Sequence, residues 1–342
     1  PMAEMNRRVL LKSRPQGEPV PGNFEVADAP LPEPGEGEYL SRTIWLSLDP
    51  YMRGRMSEAK GYAANTGLGD PMGGGTVGQV IKSRNAKFKE GDYVSEYSGW
   101  QSHAVSKGAG VMKLDPKAAP LSTALSVLGM PGMTAWWGLM HIGQPKPGET
   151  VVVSAASGAV GSMVGQVAKM KGCRAVGIAG GKDKCDYVVK ELGFDACVDY
   201  KARSGDLFKA IREACPKGID IYFENVGGAV QAAVIPQLND FARVPLCGLI
   251  SSYNEMQMNP GPDWRMLLIK RALVKGFIVS DHFAQMPEFW QEVPPAVKSG
   301  KIKYREDIVK GLDAAPDAFI GLLKGRNFGK LLVQVSDDPT RT

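Results

Sequence analysis

The feature that most restricts the fold of this chain is a glycine-rich turn between an apolar run and an amphipathic stretch. Residues 151–165 read VVVSAASGAVGSMVG, in which Ala156, Gly158 and Gly161 form an A-x-G-x-x-G pattern. A turn of this kind between a strand and a helix lets the backbone approach a pyrophosphate, and the N–H groups at the helix start favour a phosphate. The pattern predicts dinucleotide binding; on its own it also fits a glycine-rich turn without a ligand.

Strand and helix signals alternate along the middle of the chain. Apolar runs such as RAVGIAG, ACVDY and IDIYFENV are separated by helical stretches such as KDKCDYVVKELG and DLFKAIREAC. Strands that alternate with helices of about a dozen residues indicate βαβ units and a parallel sheet. We therefore expect an α/β fold with a doubly wound, Rossmann-type parallel sheet as its cofactor domain.

The two ends of the chain have a different residue pattern from the middle. Before residue 126, proline and glycine punctuate short β-like runs, as in APLPEPGEGE and DPMGGGTVGQV, which is typical of a β-rich domain. After residue 296, the stretches IKYREDIVKG, APDAFIGLLKG and GKLLVQVS indicate a strand, a helix and a strand, too little to fold alone. We predict that residues 1–125 and 297–342 form one domain and that residues 126–296 form the cofactor domain.

The composition argues against several classes of protein. The 342 residues are 44% hydrophobic and 23% charged, which suits about two globular domains. The net charge of +5 suits an anionic small ligand and is too small and scattered for a nucleic-acid surface. No apolar run reaches the roughly 20 residues of a membrane span, and the first residues lack the apolar segment of a signal peptide. We expect a cytoplasmic protein with a small-molecule substrate and no nucleic-acid or membrane partner.

Cysteine and histidine spacing gives no sign of a metal site. The five cysteines form no C-x-x-C pair, and only three histidines accompany them, at positions 103, 141 and 282. We predict no metal and free thiols, with a disulfide framework as the less favoured alternative. The histidines are interpreted as ordinary packing or surface residues.

The end of the second predicted strand indicates which dinucleotide binds. An acid there would bind the 2′-hydroxyl of NAD, but the chain has Gly180, Gly181, Lys182 and Lys184. A lysine at that place offers the 2′-phosphate of NADP a charge-assisted hydrogen bond of about 1.5–3 kcal/mol. We predict NADP(H) as the cofactor; the alternative is that the lysines are a solvated helix start.

Six stretches together give the chain a resemblance to a known family: LDPYMRGRM at 48–56, GMPGMTAWWGL at 129–139, AASGAVGSMVGQVAK at 155–169, FENVGG at 223–228, CGLISSYN at 247–254 and GRNFGK at 325–330. The chain resembles the zinc-independent medium-chain dehydrogenases/reductases, in particular the prostaglandin and leukotriene reductases and the bacterial curcumin reductases. The resemblance covers nearly the whole length. It implies a GroES-like β-rich catalytic domain, split in sequence around the cofactor domain, and a homodimer.

The resemblance also implies a set of cofactor-binding residues. It assigns the pyrophosphate to the glycine turn, the 2′-phosphate to the end of the second strand, and the nicotinamide and its ribose to later strand ends and the returning tail. In chain order, the implied residues are Met130, Thr134, Gly158, Ala159, Val160, Gly161, Gly181, Lys184, Tyr200, Asn225, Cys247, Gly248, Ser251, Phe277, Val279 and Asn327.

Without a metal, hydrogen-bond donors must stabilise the oxyanion that forms during reduction. Conjugate reduction of an enone suits such a site because the charge spreads over an enolate. The candidate catalytic donors are Tyr253 and Tyr51, and each is also compatible with a half-buried packing role. We predict an NADPH-dependent reductase of the carbon–carbon double bond of α,β-unsaturated ketones and aldehydes. A quinone reductase with the same cofactor site and a non-catalytic NADPH-binding protein remain as alternatives.

Overall fold

The computed structural model describes residues 3–341 and divides them into two compact units. The first unit consists of residues 3–125, 306–327 and 331–341, and the second of residues 126–305 and 328–330. The second unit therefore runs past the predicted boundary at 296. It does so because Ile302 is buried in its core and the Lys303 N–H donates to Gln166 Oε1 at 2.8 Å.

Proline and glycine divide residues 3–125 into short strands, as the sequence predicts. The elements are β1 (Met5–Leu11), β2 (Phe24–Pro30), β3 (Tyr39–Ser47), α1 (Met52–Arg55), β4 (Thr76–Ser83), β5 (Tyr93–Glu96), β6 (His103–Ser106) and β7 (Met112–Leu114).

Strands and helices alternate through the middle of the chain. The elements are α2 (Met130–Trp137), β8 (Thr150–Ser154), α3 (Gly161–Met170), β9 (Arg174–Ala179), α4 (Lys182–Lys190), β10 (Ala196–Asp199), α5 (Leu207–Ala214), β11 (Ile219–Phe223), α6 (Gly228–Val234), β12 (Leu238–Leu246), α7 (Trp264–Lys270), β13 (Leu273–Gly276) and α8 (Met286–Lys298). The strands form a parallel sheet in the order β10-β9-β8-β11-β12-β13. This is the 3-2-1-4-5-6 order of a doubly wound dinucleotide-binding sheet, so the predicted fold class is confirmed.

Strand β8 shows why this sheet lies between two layers of helices. Val151, Val152 and Val153 are each fully buried, and successive side chains of a strand point to opposite faces. Val151 and Val153 pack with Val164 of α3 on one face, whereas Val152 packs with Ile211 of α5 on the other. Burying each such side chain contributes about 1.5–3 kcal/mol, so the strand is held from both sides.

The tail contributes β14 (Glu306–Lys310), α9 (Ala315–Leu323) and β15 (Lys330–Gln334). Strand β15 pairs antiparallel with β3, which places the tail in a sheet of order β14-β15-β3-β4-β5-β7 with β6 beside β3. Phe319 of α9 meets the ring of Trp100 edge-on, with centroids 5.7 Å apart, in the core of the first unit. Between residues 3 and 341, no helix is long and apolar enough to span a bilayer.

Candidate active site

The A-x-G-x-x-G turn joins the end of β8 to the start of α3. Ala155 has a left-handed backbone, with φ of +52°, and its carbonyl oxygen accepts a hydrogen bond from the Gly158 N–H at 3.0 Å. A Cβ atom on Gly161 would lie 2.2 Å from that oxygen, so the helix can start this close to the strand only with glycine. The predicted residues Gly158, Ala159, Val160 and Gly161 thus form a turn with the close backbone approach that a pyrophosphate requires.

Two glycines after β9 lie against the last residue of β10 and the residue that follows it. A Cβ atom on Gly180 would lie 2.8 Å from the Tyr200 hydroxyl oxygen. Gly181 has φ of +111°, a conformation that favours glycine, and its N–H donates to Asp199 Oδ1 at 3.0 Å. The structure therefore brings the Gly180–Gly181 pair to Asp199 and Tyr200, so the predicted residues Gly181 and Tyr200 lie in one segment of the site.

The two lysines of α4 have different surroundings. The Lys182 side chain is 82% exposed, and its Nζ pairs with Asp186 Oδ2 at 2.5 Å, one helical turn further on. Lys184 is half-buried in the first turn of the same helix. A half-buried lysine is less screened by water than an exposed one. Lys184 is accordingly the stronger candidate for holding a phosphate.

Glu224 is a buried carboxylate that sequence signals did not single out. It directly follows β11, and it is only 1% exposed. Its Oε1 accepts hydrogen bonds from the N–H groups of Val226 at 2.7 Å and Gly227 at 2.8 Å, and its Oε2 accepts one from Gln231 Nε2 at 3.2 Å. The carboxylate therefore fixes the backbone of the FENVGG segment. An acid at a strand end that is followed by two glycines is the signal that could have revealed this role.

Asn225 is held at the end of β11 by the neighbouring strand β8. Its backbone N–H donates to Ser154 Oγ and its side-chain Nδ2 to the Ser154 carbonyl oxygen, each at 2.9 Å. The loop after β12 packs on the same segment, because Ile250 N–H donates to the Asn225 oxygen at 3.1 Å and Ser251 Oγ donates to the Val226 oxygen at 2.5 Å. The predicted residues Asn225 and Ser251 are thus brought together.

Tyr253 lies at the end of that loop, and its hydroxyl folds back toward the loop's start. The hydroxyl oxygen accepts a hydrogen bond from the Leu249 N–H at 3.2 Å, and a Cβ on Gly248 would lie 2.8 Å from it. Glycine at 248 is therefore required for this arrangement. At Cys247, burial and then the charge of Glu224 raise the pKa of the thiol to about 12, which keeps the sulfur neutral.

The remaining predicted cofactor residues differ in exposure. Met130 and Thr134 lie one turn apart on α2, where Thr134 Oγ1 donates to the Met130 oxygen at 2.7 Å. Phe277 and Val279 are buried, and the Phe277 ring packs on Trp137 with centroids 5.4 Å apart, so both side chains serve the core. Asn327 belongs to the first unit.

Tyr51 lies in the first unit, in a group of aromatic and charged side chains. Its hydroxyl is 3.1 Å from the Tyr97 hydroxyl, and the Arg55 guanidinium lies over the Tyr51 and Tyr62 rings at 5.3 and 4.5 Å. Burial, followed by the charge of Asp49, raises the pKa of Tyr51 far above its usual value. Tyr51 is therefore a neutral hydrogen-bond donor at any physiological pH.

Comparisons with known proteins match the chain to oxidoreductases. A family model described as the N-terminal domain of oxidoreductase matches residues 7–114, and one described as zinc-binding dehydrogenase matches residues 159–294. The chain is 51% identical over 341 residues to the NADPH-dependent curcumin reductase of Escherichia coli, covering 98% of each. It is 41% identical over 337 residues to the NADP(+)-dependent 2-alkenal reductase of Nicotiana tabacum, covering 97% of this chain and 98% of the relative.

Among solved structures, CurA from Vibrio vulnificus in complex with NADPH matches with a TM-score of 0.93 at 51% identity, covering 97% of this chain and 100% of that one. The chain belongs to the zinc-independent medium-chain dehydrogenase/reductase family. The family predicted from the sequence is thereby confirmed.

The second family model is described as a zinc-binding dehydrogenase, so the question is whether this medium-chain reductase has residues that could bind zinc. Among residues 3–341, no group of three or more histidine, cysteine, aspartate or glutamate residues is placed to hold a metal ion. His141 and His282 instead stack on the Trp137 ring, with centroids 5.3 and 3.6 Å away. The metal-free reaction stays a prediction.

Proposed function

We propose that this medium-chain reductase uses NADPH to reduce the carbon–carbon double bond of α,β-unsaturated ketones and aldehydes. The proposal rests on one observation: three features lie at the strand ends of the same parallel sheet. They are a glycine turn suited to a phosphate, the half-buried Lys184 and the loop residue Tyr253. NADP(H) as the cofactor is confirmed by the NADPH-dependent relative at 51% identity and by the NADPH complex of CurA.

Different segments at the strand ends suit different parts of the cofactor. The turn Gly158–Gly161 would hold the pyrophosphate, and Gly181, Lys184 and Tyr200 the 2′-phosphate. Asn225, with the loop at Cys247, Gly248 and Ser251, would hold the nicotinamide side. A Cβ atom on Gly161 would lie 2.2 Å from the Ala155 oxygen, so glycine is what lets the helix start close to the strand end, which supports the fit. When bound, NADPH supplies the hydride.

The protein's own part in the chemistry is to stabilise charge on the substrate oxygen. Tyr253 would donate its hydroxyl proton in a hydrogen bond to that oxygen, and the Leu249 N–H, which donates to the Tyr253 oxygen at 3.2 Å, helps to orient the hydroxyl. The role of Tyr51 as a second donor stays a prediction from the sequence. A single donor aimed at developing charge is typically worth about 10²–10³ in kcat. An enolate spreads its charge over carbon and oxygen, so one or two donors suffice.

The names of the relatives support an enone substrate class. The tobacco relative is named for 2-alkenals, which are aldehydes conjugated to a carbon–carbon double bond, and the E. coli relative is named for curcumin. We therefore propose the conjugated carbonyl as the recognised group. The cytoplasmic location and the homodimer stay predictions.

The test is NADPH oxidation with a panel of enones, 2-alkenals and quinones, followed by product identification by mass spectrometry and NMR. The saturated carbonyl compound is the expected product. An allylic alcohol as the main product would reject conjugate reduction. Turnover of quinones alone would favour a quinone reductase, and binding of NADPH without turnover of any acceptor would favour a non-catalytic protein.

A further inference from the structure

Two cysteines meet beside the residues proposed for the 2′-phosphate. Cys185 follows Lys184 in α4, and Cys197 lies in β10, shortly before Tyr200. Their sulfur atoms are 3.0 Å apart, and the Cys197 thiol donates to the Cys185 sulfur. Both are free thiols. A disulfide bond is about 2.0 Å long, so the two sulfur atoms lie only about 1 Å beyond bonding distance.

The other buried cysteines do not share this arrangement. Burial raises the pKa of Cys173 and of Cys215 to about 11 in each case, which keeps those thiols protonated. At Cys185, the hydrogen bond from Cys197 is the largest influence and lowers the pKa of the thiol. The thiolate is the reactive form of cysteine, so Cys185 is the better nucleophile. Cys185 is 9% exposed and Cys197 is half-buried, so a small oxidant has to reach Cys185 from the side of Cys197.

We propose that Cys185 and Cys197 are an oxidisable dithiol, which a hydroperoxide converts to a disulfide, and that this disulfide weakens the binding of NADPH. The second half of the proposal rests on the proposed function, because it takes the neighbouring residues as the 2′-phosphate site.

The reaction balances with one hydroperoxide. The Cys185 sulfur attacks the peroxide, the O–O bond breaks, and a sulfenic acid and water (or an alcohol) result. The Cys197 sulfur then attacks the Cys185 sulfur, the S–O bond breaks, an S–S bond forms and a second water leaves. The two thiols lose two electrons and two protons, and the peroxide is reduced. A thiol reductant reverses the change.

The expected effect on NADPH binding follows from the residues next to the two cysteines. Asp199, two residues after Cys197, accepts a hydrogen bond from the Gly181 N–H at 3.0 Å. Lys184 directly precedes Cys185. Drawing the sulfur atoms together by about 1 Å moves the first turn of α4 against β10. Charge-assisted contacts depend on geometry, and the partial loss of one raises the Kd for NADPH by about tenfold. NADH lacks the 2′-phosphate, so its affinity stays the same.

The experiment treats the full chain with hydrogen peroxide, blocks the remaining thiols with N-ethylmaleimide and maps disulfides by peptide mass spectrometry. Binding of NADPH and NADH is titrated before oxidation, after it, and after dithiothreitol. Cys185→Ala and Cys197→Ala remove the pair. Cys215→Ala is the matched control, because it makes the same change at a buried cysteine outside the pair.

We expect a Cys185–Cys197 disulfide, a rise of about tenfold in the Kd for NADPH, recovery with dithiothreitol, and loss of the response in both pair variants but not in the control. Sulfinic acid at either cysteine, or no disulfide between them, overturns the dithiol. A disulfide with unchanged NADPH affinity overturns its effect on binding. Equal affinity of the reduced protein for NADPH and NADH would instead refute the proposed 2′-phosphate site, while the disulfide map still decides the dithiol. The native chain alone answers each point if a variant fails to fold.

Discussion

The two candidate donor tyrosines are held by different kinds of partner. The Tyr253 hydroxyl accepts the Leu249 N–H, a backbone group from the same loop. The Tyr51 hydroxyl meets the hydroxyl of Tyr97, a side chain from a distant part of the sequence. A backbone N–H orients the Tyr253 hydroxyl but cannot take over its role on the substrate, whereas the second hydroxyl beside Tyr51 can itself donate in place of the first. The difference implies that Tyr253 is hard to replace and that Tyr51 has a substitute beside it.

The largest effect is expected from Tyr253→Phe. Removing the hydroxyl takes away the proposed donor, and kcat should fall by about 10²–10³ with a smaller change in the KM for NADPH. Steady-state kinetics with an enone substrate measure both constants. Circular dichroism and NADPH binding control for disruption of the loop, since the Leu249 N–H loses its partner. An unchanged kcat would remove Tyr253 from the mechanism and reverse the ranking of the two tyrosines.

Lys184→Ala separates cofactor binding from the chemistry of the tyrosines. Loss of one charge-assisted contact should raise the KM for NADPH by about ten- to a hundredfold and leave NADH use nearly unchanged. Lys182→Ala is the matched control on the same helix. Its side chain is 82% exposed and paired with Asp186, so it should change little. Equal effects of the two substitutions would contradict the assignment of the phosphate to Lys184.

The part of the site that is built from backbone could be predicted from the sequence, and the part built from distant side chains could not. Gly161 and Gly181 are recognisable because a tight turn demands glycine close to a strand end. The pairing of Tyr51 with Tyr97 depends on how separate segments pack in the first unit, which no local pattern encodes. The role of Glu224 could not be predicted because its partners are backbone N–H groups that come together only in the folded loop.

Tyr51→Phe is expected to have a smaller effect, a loss of about tenfold in kcat, because the Tyr97 hydroxyl lies 3.1 Å away and can donate instead. The double variant Tyr51→Phe/Tyr97→Phe should lose more than the sum of the two single free-energy changes, since each residue then lacks its substitute. A double-mutant cycle on kcat measures this coupling. Additive effects would show that the two hydroxyls act independently.

A still smaller effect is expected from pH. Burial raises the pKa of Tyr51 well above the usual value of about 10, so its proton stays bound as pH rises through that range. The ratio of kcat between the native chain and Tyr51→Phe should therefore stay constant within about twofold from about pH 8 to about pH 11, where a tyrosine of ordinary pKa would be about nine-tenths ionised. Parallel pH profiles of the two proteins test this, with NADPH binding at each pH as the control for integrity. A ratio that falls toward one between about pH 9 and about pH 11 would mean that Tyr51 ionises normally.

Chelation should have no measurable effect, because both donors are hydroxyls and the chain has no cysteine or histidine cluster at zinc-ligand spacing. Prolonged dialysis against a strong chelator should leave kcat and the KM for NADPH unchanged, and elemental analysis should find no stoichiometric zinc. A zinc-dependent alcohol dehydrogenase treated in parallel shows that the dialysis removes zinc. Stoichiometric zinc together with a loss of turnover would place a Lewis acid where the tyrosines are proposed to act. The comparison between Tyr253 and Tyr51 would then concern substrate positioning rather than charge stabilisation.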